Sequence, residues 1–379
     1  MLRGLNILLV SNEPWGDVWY SKHNYAYELA KDNHVTFVGP PERWRPRFLK
    51  GCNVSCGYVA NHLAVLHYNN VLPARPGFNY HANNTLVSRA IGDFLERSRR
   101  PTDLFISFDP ARLYAPRLLG AKASLFIAVD KYRLTLPGER HLYANVDGVV
   151  TISRSFNQLH APFNKPILTI GHGISSEEFS AVPTVLNVRD YGLYVGTIDQ
   201  RVDIPLVRRM VEAHPEVPFV FIGHFKLHDH PQAKALFSPG TFPNVHFLGA
   251  KPFKQLKSFI AGARFCLAPM DISYPGNDIS HHKVFQYLAM GKPVFSTEFS
   301  EYTGIADLLY MNNDPATLVN NLSAFLSSGE DAALPPARIA VAREHSYDSI
   351  LGRIGDFLAN ISPGLRPGPA AEPVTAPNK

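Results

Sequence analysis

Three cysteines in 379 residues, Cys52, Cys56 and Cys266, are too few and too odd a set for a disulfide framework, which points to a reducing compartment. Cys52 and Cys56 have no second pair with which to form a zinc site. His228-Asp229-His230 and His281-His282 lack third and fourth ligands at a recognisable spacing, so no metal site is expected. No apolar run approaches the ~20 residues needed to span a bilayer. The N-terminus passes directly into the strand-like Asn6-Ile7-Leu8-Leu9-Val10, without the apolar region and cleavage site of a signal peptide. Charged residues make up only 18% of the chain and the net charge is +5, far below the density of a dedicated nucleic-acid binder but suited to an anionic ligand. No Gly-x-Gly-x-x-Gly follows the first strand, which counts against a dinucleotide-dependent oxidoreductase. No Asp-x-Asp is present to hold a diphosphate through a bridging cation. The expectation is a soluble, cytoplasmic protein. Arg43-Trp44-Arg45-Pro46-Arg47-Phe48 reads either as a contact with the inner face of the membrane or as a solvated loop.

What the chain does have is length for two domains and 45% hydrophobic residues, enough for substantial cores. Short apolar runs alternate with longer amphipathic ones. Strands are predicted at 6–11, 34–38, 104–107, 124–129, 148–152 and 167–170, with helices at 21–31, 85–100, 137–146 and 153–160. The region 40–82 is irregular, with room for one or two short strands. The pattern then restarts. Strands are predicted at 191–195, 219–222, 245–248, 265–268, 293–296 and 308–310, with helices at 203–213, 252–261, 281–289 and 314–328. Several strands are apolar on both faces, as buried parallel strands are. Two such runs imply an α/β fold of two Rossmann-like, doubly wound domains, here placed at 1–172 and 173–342. Helices at 335–345 and 349–360 follow, the segment 343–361 being expected to cross back onto the first domain. The Pro/Gly/Ala-rich 362–379 reads as a disordered tail.

Chemistry concentrates in a few patches. Ser280-His281-His282-Lys283-Val284-Phe285-Gln286-Tyr287-Leu288-Ala289-Met290-Gly291-Lys292-Pro293-Val294 reads as a loop, a short helix, a glycine turn and a buried strand. The helix N-terminus would favour a diphosphate, Lys283 would add a point charge, and Gln286 lies one turn on. A surface helix with an exposed lysine is the alternative. Tyr194-Val195-Gly196-Thr197-Ile198-Asp199-Gln200-Arg201-Val202-Asp203 is a strand, a glycine turn and a helix start; Arg201 either meets a phosphate or pairs with Asp203. Asp130 ends a buried strand, where doubly wound folds place ligands; it either accepts a proton or caps a turn or pairs with Lys131. The loop after the first strand carries Trp15, Trp19, Tyr20, Lys22 and His23, aromatic faces that either stack on a sugar or pack among themselves.

The 280–296 segment resembles the donor-binding motif of GT-B glycosyltransferases, with its Tyr-Leu-Ala-x-Gly-Lys-Pro-Val ending. Ser280 to Tyr287 is similar to the Ser-Ser-Met-Lys-Leu-Leu-Gln-Tyr run of the glucuronosyltransferase of xanthan assembly, and the pattern of the chain resembles teichuronic-acid-type transferases as well. The resemblance implies two domains facing a deep cleft and a role in polysaccharide biosynthesis. The donor would be a nucleotide sugar of the UDP type, carrying glucuronic acid or a hexose. No cofactor or metal beyond that co-substrate is implied. The acceptor would be a glycan, a lipid-linked sugar or a small molecule. The resemblance assigns donor binding to Gly196, Arg201, Ser280, His281, His282, Lys283 and Gln286. Gly223, Phe247 and Leu248 would frame the base, and Tyr274 would touch sugar or base. Asp130 would be the general base, and Trp15, Trp19, Tyr20, Lys22 and His23 would meet the acceptor. Many retaining enzymes of this fold carry two glutamates eight residues apart where this chain has Asp278 and Gln286; that departure favours inversion. A retaining transferase, a UDP-sugar epimerase and a non-catalytic nucleotide-sugar binder remain as alternatives.

Overall fold

The computed structural model describes residues 2–16, 19–42, 51–73, 77–130, 134–181, 183, 186–365 and 368. The chain divides into two compact units: Met1–Gly171 with Tyr347–Lys379, and His172–Ser346.

The first unit opens with β1 (Asn6–Val10), α1 (Ser21–Leu29) and β2 (His34–Val38). A hairpin of β3 (Val54–Ala60) and β4 (Leu63–Tyr68) leads to the long α2 (Phe78–Arg97). Then come β5 (Leu104–Ser107), β6 (Ala123–Ala128), α3 (Glu139–Asn145), β7 (Gly148–Thr151), α4 (Arg154–His160) and β8 (Ile167–Thr169). The sheet runs β3-β4-β2-β1-β5-β6-β7-β8. Every pair is parallel except β3–β4. All residues of β5 and β6 are buried, which is why their sequences, Leu-Phe-Ile-Ser and Ala-Ser-Leu-Phe-Ile-Ala, are apolar on both faces. β3 is an edge strand and largely exposed, so it carries no burial pattern.

The second unit repeats the design with β9 (Gly192–Val195), α5 (Ile204–Ala213), β10 (Phe219–Ile222), α6 (Pro231–Phe237), β11 (Val245–Phe247), α7 (Phe253–Gly262) and β12 (Phe265–Ala268). It continues through α8 (His282–Ala289), β13 (Val294–Ser296), β14 (Tyr310–Met311), α9 (Pro315–Ser328) and α10 (Leu334–Glu344). Its six parallel strands run β11-β10-β9-β12-β13-β14, the doubly wound order with one reversal, between β9 and β12. One apolar cluster covers each face: α7, α8 and α10 contribute to one, α5, α6 and α9 to the other. Asp203 and Asp314 start α5 and α9 by accepting the N–H of Leu206 and Thr317, each with proline in the first turn.

The last helix, α11 (Tyr347–Ile361), packs into the core of the first unit through Tyr347, Ile350, Ile354 and Leu358. Gly148 leaves the space that Phe357 and Ile361 fill, and Arg353 donates to the Thr169 carbonyl at 2.7 Å. The two Rossmann-like domains and the returning C-terminal helix expected from the sequence are therefore the observed architecture. Within His228-Asp229-His230, the last residue has a structural role. His230 caps α6 by accepting the N–H of Ala233 at 3.2 Å.

Candidate functional site

The reversal in the second sheet opens a crevice at the carboxyl ends of its strands. β9 pairs with β10 as far as Val195, but with β12 only over Gly192 and Leu193. Beyond Leu193 the two strands part, and the Val195 N–H is taken instead by the Tyr287 hydroxyl of α8, at 2.9 Å. Each of β9, β10 and β11 is followed by a glycine or leads shortly to one, Gly196, Gly223 and Gly249. They are tied in series: Gly196 N–H to the Ile222 carbonyl, Gly223 N–H to the Gly249 carbonyl. Gly196 and Gly223 have φ of 143° and 155°. A Cβ on Gly223 would drive into the Gly196 carbonyl oxygen, so only glycine lets these two turns approach.

Lys283 stands over this pair of turns. A Cβ on Gly196 would lie 2.9 Å from its Nζ. The ammonium is 4.1 Å from the centre of the Tyr194 ring and 3.9 Å from Met270 Sδ. Burial pushes its pKa from 10.5 down to about 7; Arg201 adds to the depression and Asp199 opposes it. At neutral pH the amine is thus close to half-protonated and has no carboxylate bonded to it among the described residues. An anion placed there would draw a full charge onto it. α8 begins beside it with His281 at the N-cap, and no side chain caps that helix end.

The other expected donor residues divide. Arg201 forks onto Asp199, Nε at 3.0 Å and Nη2 at 2.8 Å; its partner is Asp199 rather than Asp203, whose carboxylate caps α5. The turn is held by its backbone: the Arg201 carbonyl accepts from Asp271 N–H and from Asn277 Nδ2. Tyr274 is half-buried in the same loop. Ser280 and His281 are buried. His281 bonds the Asn277 carbonyl through Nε2, its backbone N–H meets the Tyr302 hydroxyl, and burial pushes its pKa down to about 4, so it is neutral and structural. His282 packs between His172 and Phe253. Leu248 and Phe247, expected to frame a base together, lie on opposite faces of the sheet. Leu248 packs with the α7/α8 cluster, while Phe247 joins Phe225 and Phe237 on the other face. Successive side chains along a strand alternate, which puts these neighbours on opposite faces.

Sequence reasoning missed one feature of this unit. Gln286 Nε2 donates to Glu178 Oε2 at 2.6 Å, both side chains being buried. Position 286 therefore meets a carboxylate that arrives from 108 residues away. The one local signal was Ser175-x-x-Glu178, whose capping box forms. Asp278 accepts from the backbone and hydroxyl of Ser300.

In the first unit, Asp130 is exposed just beyond the carboxyl end of β6. Lys22, buried behind β1, bonds Asn12 Oδ1 at 2.5 Å. Burial lowers its pKa, and Asp130, Glu13 and Asp109 pull it back up, Asp130 most. Lys131 and Tyr132, like Arg43–Phe48, lie outside the described residues. His23 is fully buried and spent on the loop: Nδ1 faces the Tyr20 N–H and Nε2 the Pro14 carbonyl. Trp15 packs on Trp19, His23 and Phe37. Of the five residues expected to meet an acceptor, Tyr20 is the one that is largely exposed, at 47%. Trp15 and His23 thus pack within the loop. Among the described residues no three His, Cys, Asp or Glu side chains are grouped so as to hold a metal ion, and no helix is long and apolar enough to cross a membrane.

Comparisons with known proteins bear on this geometry. Residues 192–328 match the model of the family "Glycosyl transferases group 1". No curated protein sequence matches. Among solved structures, a UDP-forming α,α-trehalose-phosphate synthase from Burkholderia xenovorans superposes with a TM-score of 0.64 at 13% identity, over 95% of this chain and 99% of its own. The E. coli trehalose-6-phosphate protein bound with UDP-2-fluoro glucose gives 0.64 at 12%, over 94% and 98%. Anabaena HepE in complex with UDP and glucose gives 0.63 at 13%, over 94% and 99%. The chain thus has the GT-B fold, and residues 192–328 of its second unit are similar to the group 1 glycosyl transferases.

Proposed function

We propose that the protein is a glycosyltransferase that takes a sugar, glucuronic acid or a hexose, from a UDP-linked donor. The acceptor would be a glycan, a lipid-linked sugar or a small molecule, met in the cytoplasm or at the inner face of the membrane. One observation carries the reading: Lys283, half-buried and with no carboxylate bonded to it among the described residues, over the Gly196 and Gly223 turns at the reversal of the second sheet. The UDP-bound structures of the same fold support the choice of nucleotide. Lys283 and the uncapped start of α8 would offset the charge growing on the leaving diphosphate, so the proposal requires no metal or other cofactor. Asp130 would act as general base, taking the acceptor hydroxyl's proton for in-line attack at the anomeric carbon, with inversion.

A second reading, transfer with retention on the same fold, has one observation in its favour: Glu178 brings a carboxylate to Gln286. The anomeric configuration of the product, read by NMR, separates the two. The donor assignment itself is tested by thermal stability against a panel of nucleotides and nucleotide sugars. A ligand at about 100 times its Kd adds roughly 2.7 kcal/mol. UDP or a UDP-sugar should shift the melting of wild type and leave Lys283→Ala unmoved. An unshifted wild type would remove the donor site from this region.

A further inference from the structure

We infer that a pocket in the first unit, none of whose lining residues belongs to the aromatic loop after β1, receives one neutral, hydroxylated six-membered ring of the acceptor. It lies between the start of α2 and the carboxyl ends of β2, β4 and β5, lined by Pro41, Tyr68, Tyr80, Val87, Leu113 and the three asparagines Asn70, Asn83 and Asn84 among others. The assignment of the ring to an acceptor rests on the transferase reading above; the pocket itself does not.

Size comes first. The volume is about 180 Å³. An engineered cavity of about 150 Å³ holds benzene, so the space here is on the scale of one six-membered ring and not of a run of rings. Charge comes next. The single cation in the lining, Arg112, is saturated. Its Nε donates to Asp109 Oδ2 at 2.7 Å, Nη1 to the Gly39 carbonyl at 2.9 Å and the Tyr68 hydroxyl at 2.6 Å, and Nη2 to the Ser11 carbonyl at 2.8 Å. Nη2 also lies 2.5 Å from Asp109 Oδ2. A phosphate or carboxylate would find no free donor on it and would face Asp109 behind it.

The unspent polarity is neutral. Asn83 is fully used, exchanging bonds with both backbone groups of Leu72. Asn84 is 8% exposed; its Oδ1 accepts the Tyr114 N–H at 3.0 Å, and its amide nitrogen has no partner among the described residues. The side-chain amide of Asn70 has none either. Tyr68 accepts from Arg112, which leaves its own O–H to donate. Two amides and a phenol converging on apolar walls suit the hydroxyls and the flat face of a pyranose. The pocket stands at the carboxyl edge of a parallel sheet, where doubly wound folds take ligands.

The test is saturation-transfer NMR on the full chain with methyl gluco-, galacto- and mannopyranoside, with glucose 6-phosphate as the charged comparison and UDP titrated into the same samples. At least one neutral glycoside should bind, and the sugar phosphate at least about tenfold more weakly. Ala111→Phe, which fills the pocket from a half-buried loop position, should abolish glycoside binding. The shape-preserving Tyr68→Phe and the partly exposed Asn70→Ala should weaken it several-fold; UDP affinity should stay constant throughout. Glycoside binding that survives Ala111→Phe, or that ignores both Tyr68→Phe and Asn70→Ala, overturns the inference. So does a protein that binds UDP and none of the three glycosides. A protein that binds a glycoside in this pocket but no uridine nucleotide overturns the acceptor assignment through the failure of the transferase reading.

Discussion

Lys283→Met should stabilise the ligand-free second unit while destroying its capacity to bind a diphosphate. The amine's pKa falls from 10.5 to about 7 because burial beside Tyr194 and Met270 removes its hydration. At about 1.4 kcal/mol per pKa unit, a penalty of up to ~5 kcal/mol stands against the folded unit at pH 7. Relaxation of a partly exposed chain toward water lowers the recoverable part to about 1–3 kcal/mol. Methionine keeps length and fills the same apolar contacts without the charge. The sign follows from linkage. Between pH 7 and 10.5 the unfolded chain holds a proton on this lysine that the folded chain has lost, so wild-type stability climbs with pH in that window. The advantage of Lys283→Met is therefore largest at and below pH 7 and shrinks toward zero near pH 10. Urea unfolding of the ligand-free proteins at pH 6.5, 8 and 9.5, following the transition that UDP shifts in wild type, measures it. A methionine variant less stable than wild type at pH 6.5, or a difference that does not change with pH, would refute the claim that the lysine is held desolvated for an anion. The same logic makes UDP binding take up a proton, so its Kd should rise by up to about tenfold per pH unit above 7.

Three further outcomes follow from the geometry. Gly223→Ala pushes a methyl into the Gly196 carbonyl and should cost more than about 2 kcal/mol in the second unit, with loss of UDP binding by calorimetry. Tyr287→Phe leaves the Val195 N–H without its partner and should cost about 1–3 kcal/mol in urea unfolding while the sheet itself survives. Asp130→Asn should lower kcat by about 10²–10⁴ with UDP affinity unchanged, read by paired rate and binding assays; an equal loss of UDP binding would remove Asp130 from the role of base.

The two sheets were legible because each buried parallel strand is a short apolar run and each crossover an amphipathic one. Leu104–Ser107 and Phe219–Ile222 coincide with their predicted spans. β3 was not legible: its exposure erases the alternation that marks a strand. α6 is a short helix of about two turns whose start signal, His230 before Pro231, was there to be read but looked like part of a histidine pair. α2 starts at Phe78, seven residues before the predicted 85, because Asn79, Asn83 and Asn84 read as loop by propensity. In the fold Asn83 and Asn84 are buried, and they repay their poor propensity by bonding Leu72 and the Tyr114 N–H.

That failure is informative about function. A helix that opens with asparagines against its own propensity has them for contacts elsewhere, and Asn84 keeps an amide nitrogen unspent toward a pocket. The same holds in the second unit. The 280–296 patch disclosed Lys283 through local order, since a helix start and a glycine turn are near neighbours in sequence. It could not disclose what surrounds Lys283: Tyr194 lies 89 positions away, and the Glu178 that reaches Gln286 lies 108 away. Motifs report the residues a helix end carries; only the sheet order decides which distant side chains meet them. The reversal between β9 and β12 gathers Gly196, Tyr194, Met270 and Lys283 at one strand end, and it is their shared desolvation, invisible in any one segment, that lowers the pKa of this lysine.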